Sequence, residues 1–307
     1  MSLSREQKER LLSVSTDRHR LSTILSHLTE TITNIHKDEK AYYDEEQDKQ
    51  TIEEYYRNID FDSPNDDIMQ SLKRLLQDTH TNKVQYDPSE YVYPWVDLRP
   101  DGHLASIYSG QKRQAEEVIR EDYETSIKRK EEIKKVMDED QDKARAQLVR
   151  IASDLKYNCE HTVPQSWFNE QEPMRGDLHH LFTCEPVCNS IRSNYPYHDF
   201  SDYEPGQVNI KKVEEGCGKA DQGLFEPAYA KGTVARAVLY FLLRYPDDIE
   251  PTYKDDIDTE LLLNWHQSHP PDLYEKHRNQ AIYDIQGNRN PFIDFPEAMN
   301  DLNEEPM

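Results

Sequence analysis

The chain has 307 residues, 35% of them hydrophobic, with 37 Lys and Arg against 60 Asp and Glu, 9 Gly, 17 Pro and 4 Cys. These proportions exclude a collagen and a small disulfide scaffold. The longest apolar run, residues 237–243, is far short of the roughly 20 residues that span a bilayer, so no membrane anchor is expected. The net charge of −23 gives the average surface no attraction for phosphate. A site that carries its own divalent cation reverses that sign locally, so phosphate chemistry stays open.

Residues 1–20 are too charged for the apolar stretch of a secretory leader, and the chain as written reads as cytoplasmic. Leu11, Leu21, Ile24, Leu25, Leu28, Ile32 and Ile35 recur at helical spacing with no Gly or Pro before residue 59, which predicts about two helices in an N-terminal extension, 1–58, ahead of a main domain, 59–307. FDSPNDD at 61–67 supplies turn residues and a helix start, followed by the amphipathic IMQSLKRLLQ. In YVYPWVDLRPDGHLASIYSG, Tyr and Val alternate before Pro94, and Asp101-Gly102 divides two short apolar runs; strands or extended segments around a turn are expected. Residues 111–150 alternate in charge and lack Gly and Pro, the pattern of a long exposed helical arm.

Composition changes at Tyr157. All four Cys and seven of the twelve His lie beyond it, so metal or nucleophile chemistry is sought there. TVARAVLYFLLRY at 233–245 is apolar nearly all round and suits a buried central helix. Two further helices follow, broken at Pro270-Pro271, and QGNRNPFIDFP at 286–296 reads as a loop.

Three short runs carry the chemistry: NCEHTVP at 158–164, DLHHLF at 177–182 and CNSIRSN at 188–194. Hydrolysis of a phosphodiester needs a base that works near neutral pH, a cation against the phosphorane charge and a neutralised leaving oxygen. His161 suits the first role, and a carboxylate with a carboxamide oxygen suits a hard Mg2+-like ion. Neighbours on a strand face opposite ways, so Glu160 and His161 share one site only where the strand ends or bulges, as Pro164 suggests.

These residues resemble the endonuclease I family of nonspecific nucleases, which carry a ββα-metal (His-Me) finger. The likeness extends to YPWVDLRPDGHLASIYSG upstream and to FEPAYAKGTVARAVLYFLLRYP, LLLNWH and YEKHRNQAIYDIQGNRNPFID downstream, most of residues 80–296, leaving out the N-terminal helices. It implies an α+β fold with a small ββα finger, about 157–196, embedded in a mostly helical body. His161 would be the general base, and Glu160 and Asn189 the protein ligands of one divalent ion, Mg2+ or else Mn2+ or Ca2+. Asp177, His179 and His180 would belong to the second strand and brace the finger. The cation facing the scissile phosphate would be Arg175, Arg192 or Arg289. Arg289 reads equally as a phosphate clamp or a loop-stabilising ion pair, and Arg192 as phosphate-facing or structural.

The implied activity is divalent-metal-dependent endonuclease cleavage of DNA, and RNA as well, to 5′-phosphate ends, through backbone contacts with the nucleic acid. Such an enzyme endangers its own genome, so the resemblance implies secretion, a periplasmic location or an inhibitor protein as partner.

The cysteines are open. Cys159 and Cys188 each adjoin a proposed ligand, and with Cys184 and Cys217 they could converge on a structural Zn2+, pair as disulfides or stay as buried thiols; without a visible leader zinc is favoured over disulfides. The competing function is a noncatalytic, zinc-stabilised interaction module whose acidic surface binds basic partners.

Overall fold

The computed structural model describes residues 11–136, 141–204 and 216–301. Helix α1 (Arg18–Lys37) starts where Asp17 accepts from the His19 backbone N–H, and α2 (Glu45–Tyr55) where Asp44 does the same for Glu46 and Gln47. α1 buries Ile24, Leu28 and Ile35 along one stripe, against Val84, Tyr86, Val92, Val96 and Leu181. The N-terminal helices therefore share a core with the rest of the chain. α3 (Asn65–Thr79) buries Ile68, Leu72 and Leu76 at spacings of four.

The stretch expected to be extended before Pro94 is helical instead. Asp87 caps a turn, Pro88–Tyr91, by accepting from Glu90 N–H, and a π-type turn, Val92–Val96, follows directly. Val92, Tyr93, Pro94 and Val96 are all buried, so the alternation of Tyr and Val does not separate an inner from an outer face. Strands begin only after Gly102, whose φ of +75° makes the turn. There β1 (His103–Ala105) pairs antiparallel with β2 (Lys112–Gln114).

The charged arm is a helical pair, α4 (Ala115–Val136) and α5 (Gln141–Asp154). It is less exposed than its composition implies. On α4, Val118, Ile119, Asp122 and Ser126 are buried, and Asp122 accepts from Tyr93 OH at 2.7 Å and Asn158 N–H at 2.9 Å.

The finger follows: β3 (Cys159–His161), β4 (Leu181–Thr183) and α6 (Pro186–Arg192), with Glu160 opposite Phe182 and His161 opposite Leu181. Asp177, His179 and His180 are not on the second strand. Asp177 accepts from His179 N–H and caps a 3-10 turn, Leu178–His180, that delivers the chain into β4. A second hairpin, β5 (Gly218–Asp221) and β6 (Leu224–Pro227), precedes the central helix α7 (Lys231–Arg244), which is buried over nearly its whole length. α8 (Thr259–Ser268) and α9 (Leu273–Gln286) flank the Pro270-Pro271 break. Gly287 ends α9 at φ +91°; a Cβ there would lie 2.5 Å from Thr79 O. The fold is α+β, with short two-stranded sheets in a helical body. Among the described residues no helix is long and apolar enough to cross a membrane.

Candidate active site

β3 is three residues long, and its register with β4 continues past both ends, with Cys184 N–H on Asn158 O at 2.9 Å and Thr162 N–H on His180 O at 3.0 Å, before Pro164 opens the next turn. Glu160 and His161 are neighbours on this regular ladder and have different partners. Glu160 is 3% exposed; its Oε1 accepts from Tyr108 OH at 2.8 Å and stands 3.3 Å from the Arg192 guanidinium. Burial pushes its carboxyl up, with Arg192 working in the opposite direction.

His161 Nε2 lies 2.9 Å from the backbone oxygen of Arg175. A carbonyl only accepts, so the proton sits on Nε2 and Nδ1 is the basic nitrogen. Burial first, then the neighbouring His180, holds the imidazole pKa well below its usual value, so the ring is neutral at neutral pH. The Tyr86 ring packs over it, centroids 4.7 Å apart.

α6 carries Asn189 to the same strand. Its Nδ2 donates to Cys159 O at 3.0 Å, which leaves Oδ1 to accept from the Lys156 ammonium, also at 3.0 Å. Lys156 is also within electrostatic reach of Glu160. A carboxylate and a carboxamide oxygen that already attract a positive charge fit a hard Mg2+-type ion, which takes few protein ligands and keeps several waters. Among the described residues there is no cluster of three or more His, Cys, Asp or Glu side chains placed to hold a metal.

The three candidate arginines separate. Arg289 is entirely buried, paired with Asp48 at 2.9 Å and Asp294 at 2.8 Å, so the phosphate-clamp reading gives way to the ion pair. Arg192 is 1% exposed, donating to Thr162 O at 2.7 Å beside Glu160, with the Tyr197 ring beneath it; it neutralises the carboxylate from inside. Arg175 alone reaches a sizeable cavity, of about 680 Å³, lined also by Tyr86, Lys83, Arg20 and Ser13. Its Nε donates to Gln165 and its Nη2 to Ser13, each at 2.9 Å.

Behind the finger, Asp177 accepts from Tyr240 OH at 2.8 Å, Tyr245 OH at 2.9 Å and Gln286 at 3.1 Å. Burial opposes its charge, but the nearby His80, His179 and His180 together with Gln286 prevail and hold its carboxyl below the ordinary range. His179 Nε2 is fixed on Asn288 O and His180 Nε2 on Met174 O. This is a buried brace.

The four cysteines do not converge. Cys188 and Cys217 form a disulfide, and Cys159 and Cys184 are free and buried. Cys159 pairs with Thr183, so Cys184, one residue on, turns to the other face; the two thiols enter different cores. A four-sulfur zinc site is thereby replaced by one disulfide, which ties the residue before Asn189 to the start of β5.

The endonuclease I family model matches residues 21–297. The chain belongs to the endonuclease I family. The match takes in most of the N-terminal helical region, which the sequence motifs left out. Relatives include an extracellular ribonuclease of Bacillus amyloliquefaciens, 34% identical over 140 residues (41% of this chain, 46% of the relative). An extracellular ribonuclease of Bacillus subtilis (strain 168) is 32% identical over 162 residues (48% and 54%). An extracellular deoxyribonuclease of Aeromonas hydrophila is 30% identical over 129 residues (41% and 52%). The chain spans about half the length of the curated relatives it matches. In this endonuclease I family member Lys156, Tyr86 and Tyr108 also border the site; only Tyr108 lies in a family-like run, and its neighbours in sequence do not mark it as a partner of Glu160.

Proposed function

We propose that this protein is a secreted, divalent-metal-dependent endonuclease that hydrolyses phosphodiester bonds of DNA, and of RNA as well, to 5′-phosphate ends. The observation that carries the reading is the His161 ring, with Nε2–H tied to the Arg175 carbonyl and Nδ1 left basic, on the strand that also carries Glu160 and to whose Cys159 carbonyl Asn189 is bonded. Nδ1 takes the proton from the attacking water. Glu160 and Asn189 would hold an Mg2+-type ion, which supplies positive charge against the phosphate and the leaving oxygen. Arg192 gives Glu160 a counter-charge and holds it in place, while Arg175, on the cavity side, faces the phosphate backbone. Recognition through the backbone is indifferent to base sequence. The relatives' names, ribonuclease and deoxyribonuclease, support both substrates, and their extracellular location together with the Cys188–Cys217 disulfide supports an oxidising compartment.

Incubating the protein with supercoiled plasmid and with RNA, in Mg2+, Mn2+ or Ca2+ and then in chelator, tests this. Metal-dependent nicking with 5′-phosphate ends is expected. No cleavage with any of the three ions would overturn the proposal in favour of a noncatalytic module.

A further inference from the structure

Lys156 lies three residues before β3, outside every motif that marked the finger. Its ammonium donates to Asn189 Oδ1 at 3.0 Å, and Asn189 cannot turn away, because its Nδ2 is held by Cys159 O at 3.0 Å. The same ammonium is in electrostatic reach of Glu160. Two cations of different character thus bear on Glu160, Arg192 at 3.3 Å and Lys156 from farther off. Arg192 is buried and anchored on Thr162 O, so it cannot leave. Lys156 is half-buried, and among the described residues its ammonium makes this one hydrogen bond. A compact charge on a flexible four-carbon stem can retreat into water while its stem stays packed.

We infer that Lys156 is a resident counter-cation, seated on Asn189 Oδ1 within electrostatic reach of Glu160, and that it gives way when a divalent ion binds. The inference rests on the metal-site reading above and gives that site its regulation. Without the ammonium, the buried Glu160 carboxylate would have only Arg192 to offset its charge, and Asn189 Oδ1 would lose its donor. With it, Asn189 Oδ1 stays engaged by a cation before any ion arrives. Lys156 is a positioning residue, and it sets the ion concentration at which the site fills, because each binding event must displace it.

Removing the ammonium while keeping the stem should therefore tighten divalent binding. Mn2+ binding to the full chain, followed by calorimetry and by loss of the free-ion paramagnetic resonance signal, compares the wild type with Lys156→Met, Lys156→Gln and Lys156→Arg. Lys130→Met, at an exposed position of α4 whose ammonium donates to Thr16, makes the same change in net charge outside the finger. Lys156→Met and Lys156→Gln are expected to bind Mn2+ about ten-fold more tightly, the lower end of what groups beside metal ligands alter. Lys156→Arg and Lys130→Met should stay near the wild type. In chelator both neutral variants should melt below the wild type, and Mn2+ should raise their melting temperature by more, as tighter binding to the folded state requires. Equal or weaker Mn2+ binding by the neutral variants, including no binding by any form, overturns the inference, as does tightening by Lys130→Met to the same degree. Cleavage separates this from the functional reading. A wild type that never cuts, with tighter ion binding by Lys156→Met, removes the nuclease and leaves the counter-cation. An active wild type with unchanged affinity in the neutral variants removes the counter-cation alone.

Discussion

Two polar clusters in this protein use the same residue types to opposite ends. Around Asp177, a carboxylate, three histidines, two tyrosines and an amide are packed among α3, α7 and α9, and the carboxylate itself is met by Tyr240, Tyr245 and Gln286. Nearby, Arg289 is closed between Asp48 and Asp294. At the end of β3, Glu160, His161 and Asn189 are held just as firmly from inside, by Arg192, the Arg175 carbonyl and Cys159 O. The outward side differs: Asn189 and Lys156 are half-exposed, and the imidazole Nδ1 is left basic. A buried carboxylate whose partners are protein groups fixes geometry. A group fixed on one side and left exchangeable on the other can take a proton or an ion.

Arg289→Met tests the closed cluster at its strongest point. It leaves Asp48 and Asp294 buried without a counter-charge, and chemical denaturation should show a loss of about 3–5 kcal/mol, the scale for breaking a buried pair from one side. Cleavage per folded molecule should not change; a stable variant that loses cleavage would restore Arg289 to the phosphate.

Cys188→Ser sits between the clusters, because the disulfide joins α6 to β5 across a separation of 29 residues. Stability should fall by about 2–4 kcal/mol, and Mn2+ affinity should weaken with it, since Asn189 is the next residue. Unchanged affinity in a destabilised variant would show that α6 is positioned by its packing alone.

Arg175→Met is the mildest of the three. Its backbone carbonyl still holds His161, so only the guanidinium at the cavity is lost, and cleavage should slow by about ten-fold, the value of a single charged contact of roughly 1.4 kcal/mol. A rate equal to the wild type would remove Arg175 from the phosphate.

What the sequence made legible followed local pattern. The apolar run of α7, the break at Pro270-Pro271 and the strand, strand and helix of the finger all leave periodic or punctuating residues. The rest depended on partners distant in the chain. Arg289 reads two ways from its motif, which holds its partner Asp294, because the second carboxylate that closes it in, Asp48, lies 241 residues away. Tyr108 is 52 residues from Glu160, and no motif connects them. The segment 91–96 is helical although its Tyr and Val alternate, because Val92, Tyr93, Pro94 and Val96 are all buried, and alternation of residue types predicts a strand only where one face stays wet. The cysteines separated because Cys159 and Cys184 fall on opposite faces of paired strands, a matter of register that spacing alone does not reveal.

The contrast between the clusters is tested most directly by the single-turnover rate of plasmid cleavage per folded molecule, measured side by side for His161→Ala and His179→Asn with the melting temperature of each. His161→Ala should lose between about 10²- and 10⁴-fold in rate, the range for a general base, and melt close to the wild type. His179→Asn should melt lower and cut at nearly the wild-type rate. A His161→Ala protein that still cuts at full rate, or a His179→Asn protein that keeps its stability and loses cleavage, would contradict the assignment of catalysis to the end of β3 and of bracing to the cluster behind it.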